Sequence, residues 1–339
     1  MFLHIGFFVR HFTERGADVA VYDYAKYNEE VLGNKSYIIC FTQETKARIG
    51  FPLDRTSYNK FNNRFQIIEI NSIHEMREII ENYCLDFFYT LCYGNHDVYM
   101  FENKDIWKNC KTIKHCVFDT RYSESDYYIS ISNYLNQKYE TFIPVIPHIV
   151  DLPDCSDNLR EELQISENAF VFGRYGGFEQ FDIHIAHNAI IQFLQTPYSE
   201  NYYFLFMNTR KFVEHPRVIY LDRNVDMVYK VKFINTCDAM IHARSDGETF
   251  GLSIAEFSIK NKPIITCPCG DLEHIMILGN KGLLYTNQDH LIDIFKNIKN
   301  IINKHKEEPD FWNCYKLYTP TYIMNLFKEM IFDNVGDSL

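Results

Sequence analysis

Two glutamates, Glu248 and Glu256, bracket a Phe-Gly-Leu run in Asp246-Gly247-Glu248-Thr249-Phe250-Gly251-Leu252-Ser253-Ile254-Ala255-Glu256. A carboxylate accepts two hydrogen bonds from a pair of neighbouring hydroxyls. The segment before the run, 237–244, reads as a short buried strand, and 253–260 has the apolar spacing of an amphipathic helix. Gly251 then falls at the turn. The first backbone N–H groups of the helix lack intrahelical partners and attract an anion, and glycine lets the backbone approach a phosphate closely. A phosphate between the two carboxylates, with a hydroxyl-bearing group on either side, has the shape of a nucleotide-sugar site. Two glutamates at this spacing, taken alone, also suit a solvated loop and helix. The Phe-Gly-Leu insert and the strand before it favour the site.

The elements that must position these residues alternate along almost the whole chain, which argues for parallel sheets with crossover helices. In the first half the strand candidates are 3–9, 36–41, 65–70, 87–91, 112–118, 128–132 and a piece near 142–146, with clear helices at 18–32 and 73–83. Three prolines in 144–153 and the polar stretch after them read as a linker. A second series then begins, with strands 170–175, 203–207, 218–221, 239–243 and 263–267 and helices 182–194, 225–235, from 253 and from 272. The tail from 289 is mostly helical and ends in 321–332. Two Rossmann-like halves would place ligands at the carboxyl ends of both sheets, facing a shared cleft. One continuous α/β domain is the alternative.

Bulk properties narrow the function. The 339 residues, 46% hydrophobic and 23% charged, describe a folded rather than a disordered chain. A net charge of −11 argues against a non-specific grip on nucleic acid or an anionic membrane. Ten dispersed cysteines read as reduced structural thiols, and Cys267-Pro268-Cys269 has no matching second pair that would suggest a metal site. The apolar start, 1–9, is too short to span a bilayer, lacks a basic flank, and reads as a first buried strand. These features predict a cytoplasmic protein without a transmembrane segment, although a partner could hold it at a membrane.

The chain resembles the GT-B-fold glycosyltransferases, closest to the retaining family 4 type. Glu248 to Glu256 matches that family's paired-glutamate element with its internal Phe-Gly-Leu. Cys237-Asp238 before it, 261–273 after it, and His148-Ile149-Val150-Asp151 at the linker are similar to the family's pattern as well. The similarity is detailed over roughly the last 200 residues and rests on a few points before them.

That resemblance implies a role for each residue. Glu256 would bond the ribose hydroxyls of the donor, and Glu248 hydroxyls of the donor sugar. Backbone N–H groups of Phe250, Gly251 and Leu252 would receive the pyrophosphate. In Gly173-Arg174-Tyr175-Gly176-Gly177, Arg174 would reach the leaving diphosphate. The family's partner lysine is replaced by Glu179 or Gln180, so Arg210 or Lys211 is the candidate for the missing charge. In the loop 10–18, Gly16 and Arg15 would face the donor phosphates, or the loop is a solvated turn with Asp18 favouring the helix start. His115 would stand beside the transferred sugar, or is a satisfied core histidine, and His96 is a weaker candidate. Asp271 and Glu273 would orient the donor or simply favour their helix start. Tyr122, Tyr127 and Tyr128 offer sugar-stacking faces, though aromatic residues like these more commonly fill a core.

The expected architecture is therefore α/β GT-B. Residues 1–147 would form an acceptor-side domain, joined by a returning helix at 319–333, and 148–318 a nucleotide-sugar-binding domain. The expected reaction is retaining transfer from a nucleotide-diphosphate sugar, as substrate rather than cofactor, to a glycan or other hydroxyl-bearing acceptor. No metal is expected, because helix start and Arg174 would neutralise the leaving diphosphate. A GT-B nucleotide-sugar epimerase or a binding protein without catalysis are the alternatives. An NAD-linked oxidoreductase is disfavoured because no Gly-x-Gly-x-x-Gly follows the first strand.

Overall fold

A computed structural model describes residues 2–13, 16–50, 53–101 and 103–333. The chain divides into two compact units, Met1–Ile149 with Tyr318–Leu339, and Val150–Leu317.

The first unit is built on six parallel strands: β1 His4–Phe8, β2 Lys35–Phe41, β3 Gln66–Ile70, β4 Phe87–Cys92, β5 Lys111–Cys116 and β6 Tyr127–Ser130. Their order, β3-β2-β1-β4-β5-β6, reverses direction between β1 and β4. The central strands are buried along their length, as in β4 with Phe-Phe-Tyr-Thr-Leu-Cys, because helices cover both faces of a parallel sheet. The C-terminal helix Pro320–Phe327 belongs to this unit. Thr319 caps its first turn and Pro320 opens it, the position where a missing N–H costs nothing. Its Phe327 ring packs 5.6 Å from Tyr24 in the helix Gly16–Glu30, and the buried Tyr24 hydroxyl donates to the Pro147 carbonyl at 2.7 Å. The expected strand at 142–146 is only an isolated bridge, Ser130 to Val145, since Pro144 and Pro147 have no N–H to offer a ladder.

The second unit carries β7 Phe170–Tyr175, β8 Tyr202–Met207, β9 Val218–Leu221, β10 Ala239–Ile241, β11 Gly247–Glu248, β12 Ile264–Thr266, β13 Asp271–Leu272 and β14 Leu283–Leu284. Six of them make a parallel sheet ordered β14-β12-β10-β7-β8-β9, which reverses between β7 and β10. Its core is aromatic: Phe172 stacks on Phe204 at 5.1 Å and touches Phe295 at 4.8 Å. Asp238 ties the two central strands, accepting from the Val171 N–H at 2.7 Å and from Arg160 at 2.9 Å. The small parallel ladder of β11 with β13 is not foreshadowed by any pattern in the sequence. All ten cysteines carry free thiols. Among the described residues no helix is long and apolar enough to cross a membrane.

Candidate functional site

Ligands of open α/β sheets bind beyond the carboxyl ends of the strands, where the strand order reverses. In the second unit that point lies between β7 and β10, and the chain leaving β10 is His242-Ala243-Arg244-Ser245. Two glycines fix the course of the chain beyond it. Gly247 has φ +66° and Gly270 φ +61°, and a Cβ on either would overlap the backbone of the opposite loop. The loops meet there, and the Asp271 N–H donates to the Asp246 carbonyl at 2.7 Å. Glu248 is therefore carried on a two-loop backbone contact.

The Glu248 carboxylate is held by two side chains from that loop. Arg244 approaches one oxygen at 3.1 Å and His242 Nε2 the other at 3.3 Å. The opposite His242 nitrogen bonds Thr266 Oγ1 at 2.8 Å, and Thr266 in turn lies 3.2 Å from His274 Nε2. Burial alone would push the Glu248 carboxyl up, but the His242 hydrogen bond and the Arg244 charge outweigh it and hold it down at about 2. Burial, with the nearby His242, pushes the His274 ring down to about 3.

The helix Leu252–Ile259 starts immediately after. Gly251 takes the left-handed conformation, φ +84°, and no side chain caps the helix start. The first intrahelical bond is Ala255 N–H to the Gly251 carbonyl at 2.8 Å. The preceding N–H groups of Leu252, Ser253 and Ile254 thus have no carbonyl of their own helix to meet. Phe250 anchors the turn: its buried ring meets Tyr315 edge-on at 5.4 Å, and the Tyr315 hydroxyl donates to its carbonyl at 2.8 Å.

Glu256, inside that helix, is 2% exposed. One oxygen accepts from the Tyr175 hydroxyl at the end of β7, and the other lies 3.0 Å from Lys230 Nζ in the helix Met227–Thr236. The Tyr175 ring stacks on Phe257 at 5.6 Å. The second unit thus sets Glu248 beside Arg244 and Glu256 beside Lys230, with the uncapped helix start between the two glutamates.

The remaining expected residues have these partners. Arg174 is buried, and it donates to the Thr209 hydroxyl at 2.6 Å and to the carbonyls of Asn208 at 3.1 Å and Gly177 at 2.8 Å. Burial pushes its guanidinium down to about 10. In this arrangement it fastens the loops after β7 and β8 to each other. Arg210 is exposed and paired with Glu179, and Lys211 extends over the Tyr220 ring at 5.8 Å. Neither of these contacts involves Glu248 or Glu256. Glu273 is buried at the start of its helix and Asp271 is half-buried in β13.

In the first unit Gly16 opens the helix Gly16–Glu30 and is exposed, while Arg15 lies outside the described residues. Asp18 accepts from the Thr13 N–H at 3.0 Å. His115, expected either beside the sugar or in the core, is 0% exposed, bonded to the Tyr89 hydroxyl at 2.8 Å and packed against Tyr24 and His148. Burial pushes it down to about 3. His96 is exposed and paired with Glu124. Tyr128 is buried, Tyr127 half-buried and Tyr122 exposed. Sequence reading missed Tyr175, Lys230, His242, Arg244 and His274. Only Tyr175 carried a signal, as the neighbour of Arg174 at a strand's carboxyl end.

No protein-family model matches the chain, and no curated protein matches it. Solved structures do. A glycosyltransferase from Rickettsia africae ESF-5 superposes with a TM-score of 0.74 at 17% identity, covering 99% of this chain and 100% of that one. Anabaena HepE in complex with UDP-glucose gives 0.66 at 15% identity, over 98% and 99%. The fold is GT-B. Sucrose-phosphate synthase from Thermosynechococcus elongatus shares it, with a TM-score of 0.64 at 13% identity over 98% and 97%. HepE was also solved with UDP and glucose and with UDP alone. At such identities the likeness of these GT-B chains is one of fold.

Proposed function

We propose that this GT-B chain transfers a glycosyl group from a nucleotide-diphosphate sugar to a hydroxyl-bearing acceptor, with retention at the anomeric carbon. The observation that carries the reading is the placement of Glu248 and Glu256 on either side of an uncapped helix start, at the sheet's reversal point. The UDP-glucose complex of HepE, a protein of the same fold, supports it. In this reading the ribose diol donates to Glu256, and the diphosphate lies against the N–H groups at Gly251 and Leu252. Donor-sugar hydroxyls meet Glu248. The second unit is then the donor side and the first the acceptor side.

The chemistry asks for no enzyme nucleophile. The bond from the anomeric carbon to the diphosphate oxygen breaks while the acceptor oxygen bonds the same face, and the acceptor proton passes to the departing diphosphate. Backbone N–H groups and the helix dipole stabilise the charge growing on that diphosphate. In this reading the ionised Glu248 also stabilises positive charge on the sugar ring. Product analysis tests the proposal. Incubation with UDP-glucose and a panel of saccharide and lipid acceptors should yield a glycosylated acceptor with the donor's anomeric configuration. An inverted product would overturn retention. Conversion of donor alone into a sugar epimer would replace transfer with epimerisation.

A further inference from the structure

Glu256 is not simply a buried acid. Its two oxygens are reached from two separate elements, by the Tyr175 hydroxyl from β7 and by Lys230 Nζ, 3.0 Å away, from the helix Met227–Thr236. Lys230 itself is well enclosed, with a side chain 12% exposed and its Nζ 5.4 Å from the centre of the Tyr175 ring. The Tyr175 ring is pinned in turn by stacking on Phe257 and by an edge contact with Phe233 at 5.7 Å. The helix that bears Lys230 is fixed at its start, where Asp226 accepts from the Val228 N–H at 2.8 Å.

We infer that Lys230 is a positioning and specificity residue for the nucleoside: it holds the Glu256 carboxylate oriented for the two ribose hydroxyls. If Glu256 receives those hydroxyls, the reading of function on which this inference rests, a lysine beside it has two consequences. It offsets a negative charge that would otherwise repel an incoming diphosphate in a chain of net charge −11. It also fixes the direction in which the carboxylate accepts. Discrimination between ribose and deoxyribose then depends on Lys230 as well as on Glu256. A purely structural ion pair would affect folding and treat both sugars alike.

The test is a binding cycle by calorimetry on the full chain, with UDP, GDP and ADP and their 2′-deoxy counterparts. The parent and the Lys230→Met, Lys230→Arg and Lys230→Met/Glu256→Gln variants are compared, with Glu256→Gln alone as the background for the double variant. For whichever ribonucleotide the parent binds, Lys230→Met should weaken affinity by about 10- to 100-fold, the range for a lost charged hydrogen bond. The loss should be several-fold smaller for the 2′-deoxy nucleotide, and Lys230→Arg should restore much of it. In the Glu256→Gln background, removing Lys230 should change affinity by less than about threefold. Equal losses for ribo- and deoxyribonucleotides, or no loss, overturn the inference while leaving the nucleotide reading intact. If Lys230→Met does not fold, a ribose preference in the double variant equal to the parent's overturns it as well. Failure of every nucleotide to bind the parent overturns the nucleotide reading, and the inference with it.

Discussion

Arg244 reaches back over its own loop to place its guanidinium 3.1 Å from the Glu248 carboxylate. The His242 hydrogen bond and this Arg244 charge together keep the carboxylate ionised where burial would favour its neutral form. In a sugar site, an ionised carboxylate accepts hydroxyl hydrogen bonds and faces positive charge developing on the ring. Removing that charge while keeping the shape separates chemistry from binding.

Glu248→Gln should therefore lower the transfer rate by about 100-fold, about 2.7 kcal/mol of barrier, with nucleotide affinity changed less than about threefold. Steady-state kinetics and calorimetry on one preparation check it. An unchanged rate would remove Glu248 from the reaction.

Acid should destabilise the protein in two stages. His115 and His274 have an ordinary value of 6.5 and lie near 3 in the folded chain, so the unfolded chain binds their protons first. Their contribution to stability is present above pH 6.5 and is lost as the pH falls from there towards 3. Glu248, ordinarily near 4.5 and held at about 2, adds a second loss below 4.5. His115→Gln should flatten the stability profile between pH 6.5 and 4.5 by up to ~1.4 kcal/mol per pH unit. Urea unfolding across that range reads it, and a slope equal to the parent's would show that His115 charges freely in the folded state.

Gly270→Ala should cost about 1–3 kcal/mol, since it combines a positive φ with a Cβ aimed at the Asp246 backbone. Because that contact sets β11 against β13, transfer should fall more than nucleotide affinity does. Thermal unfolding and kinetics together measure both effects.

Arg174→Lys should destabilise by about 2 kcal/mol, because an ammonium cannot span the Thr209 hydroxyl and the carbonyls of Asn208 and Gly177 in one plane. Denaturant unfolding checks this. Unchanged stability together with weaker diphosphate binding would instead support the phosphate role expected from sequence.

The segment from Asp246 to Glu256 was legible because local rules govern it: a buried strand, a glycine turn and an amphipathic helix announce themselves within a few residues. The two-series layout followed from the same alternation and the proline break near 144–153. The partners of the glutamates were not legible. Lys230 stands 26 residues before Glu256 and Tyr175 stands 81 before it, so only the parallel sheet brings them together. A lysine in a helical pattern reads as a solvated residue until the neighbouring carboxylate is seen. His115 illustrates the reverse. Its position in β5 was visible, but the Tyr89 hydroxyl and Tyr24 ring that surround it come from other elements. The β11–β13 ladder was hidden because two residues on each side carry no periodicity.

The most direct test is calorimetric titration of the parent and Glu256→Gln with UDP, GDP, ADP and their glucose conjugates. One nucleotide should bind the parent selectively, and the variant should bind it at least about tenfold more weakly, the loss of a charged acceptor for the ribose diol. No binding by any nucleotide, or equal affinity in parent and variant, would contradict a nucleotide-sugar site at Glu248 and Glu256.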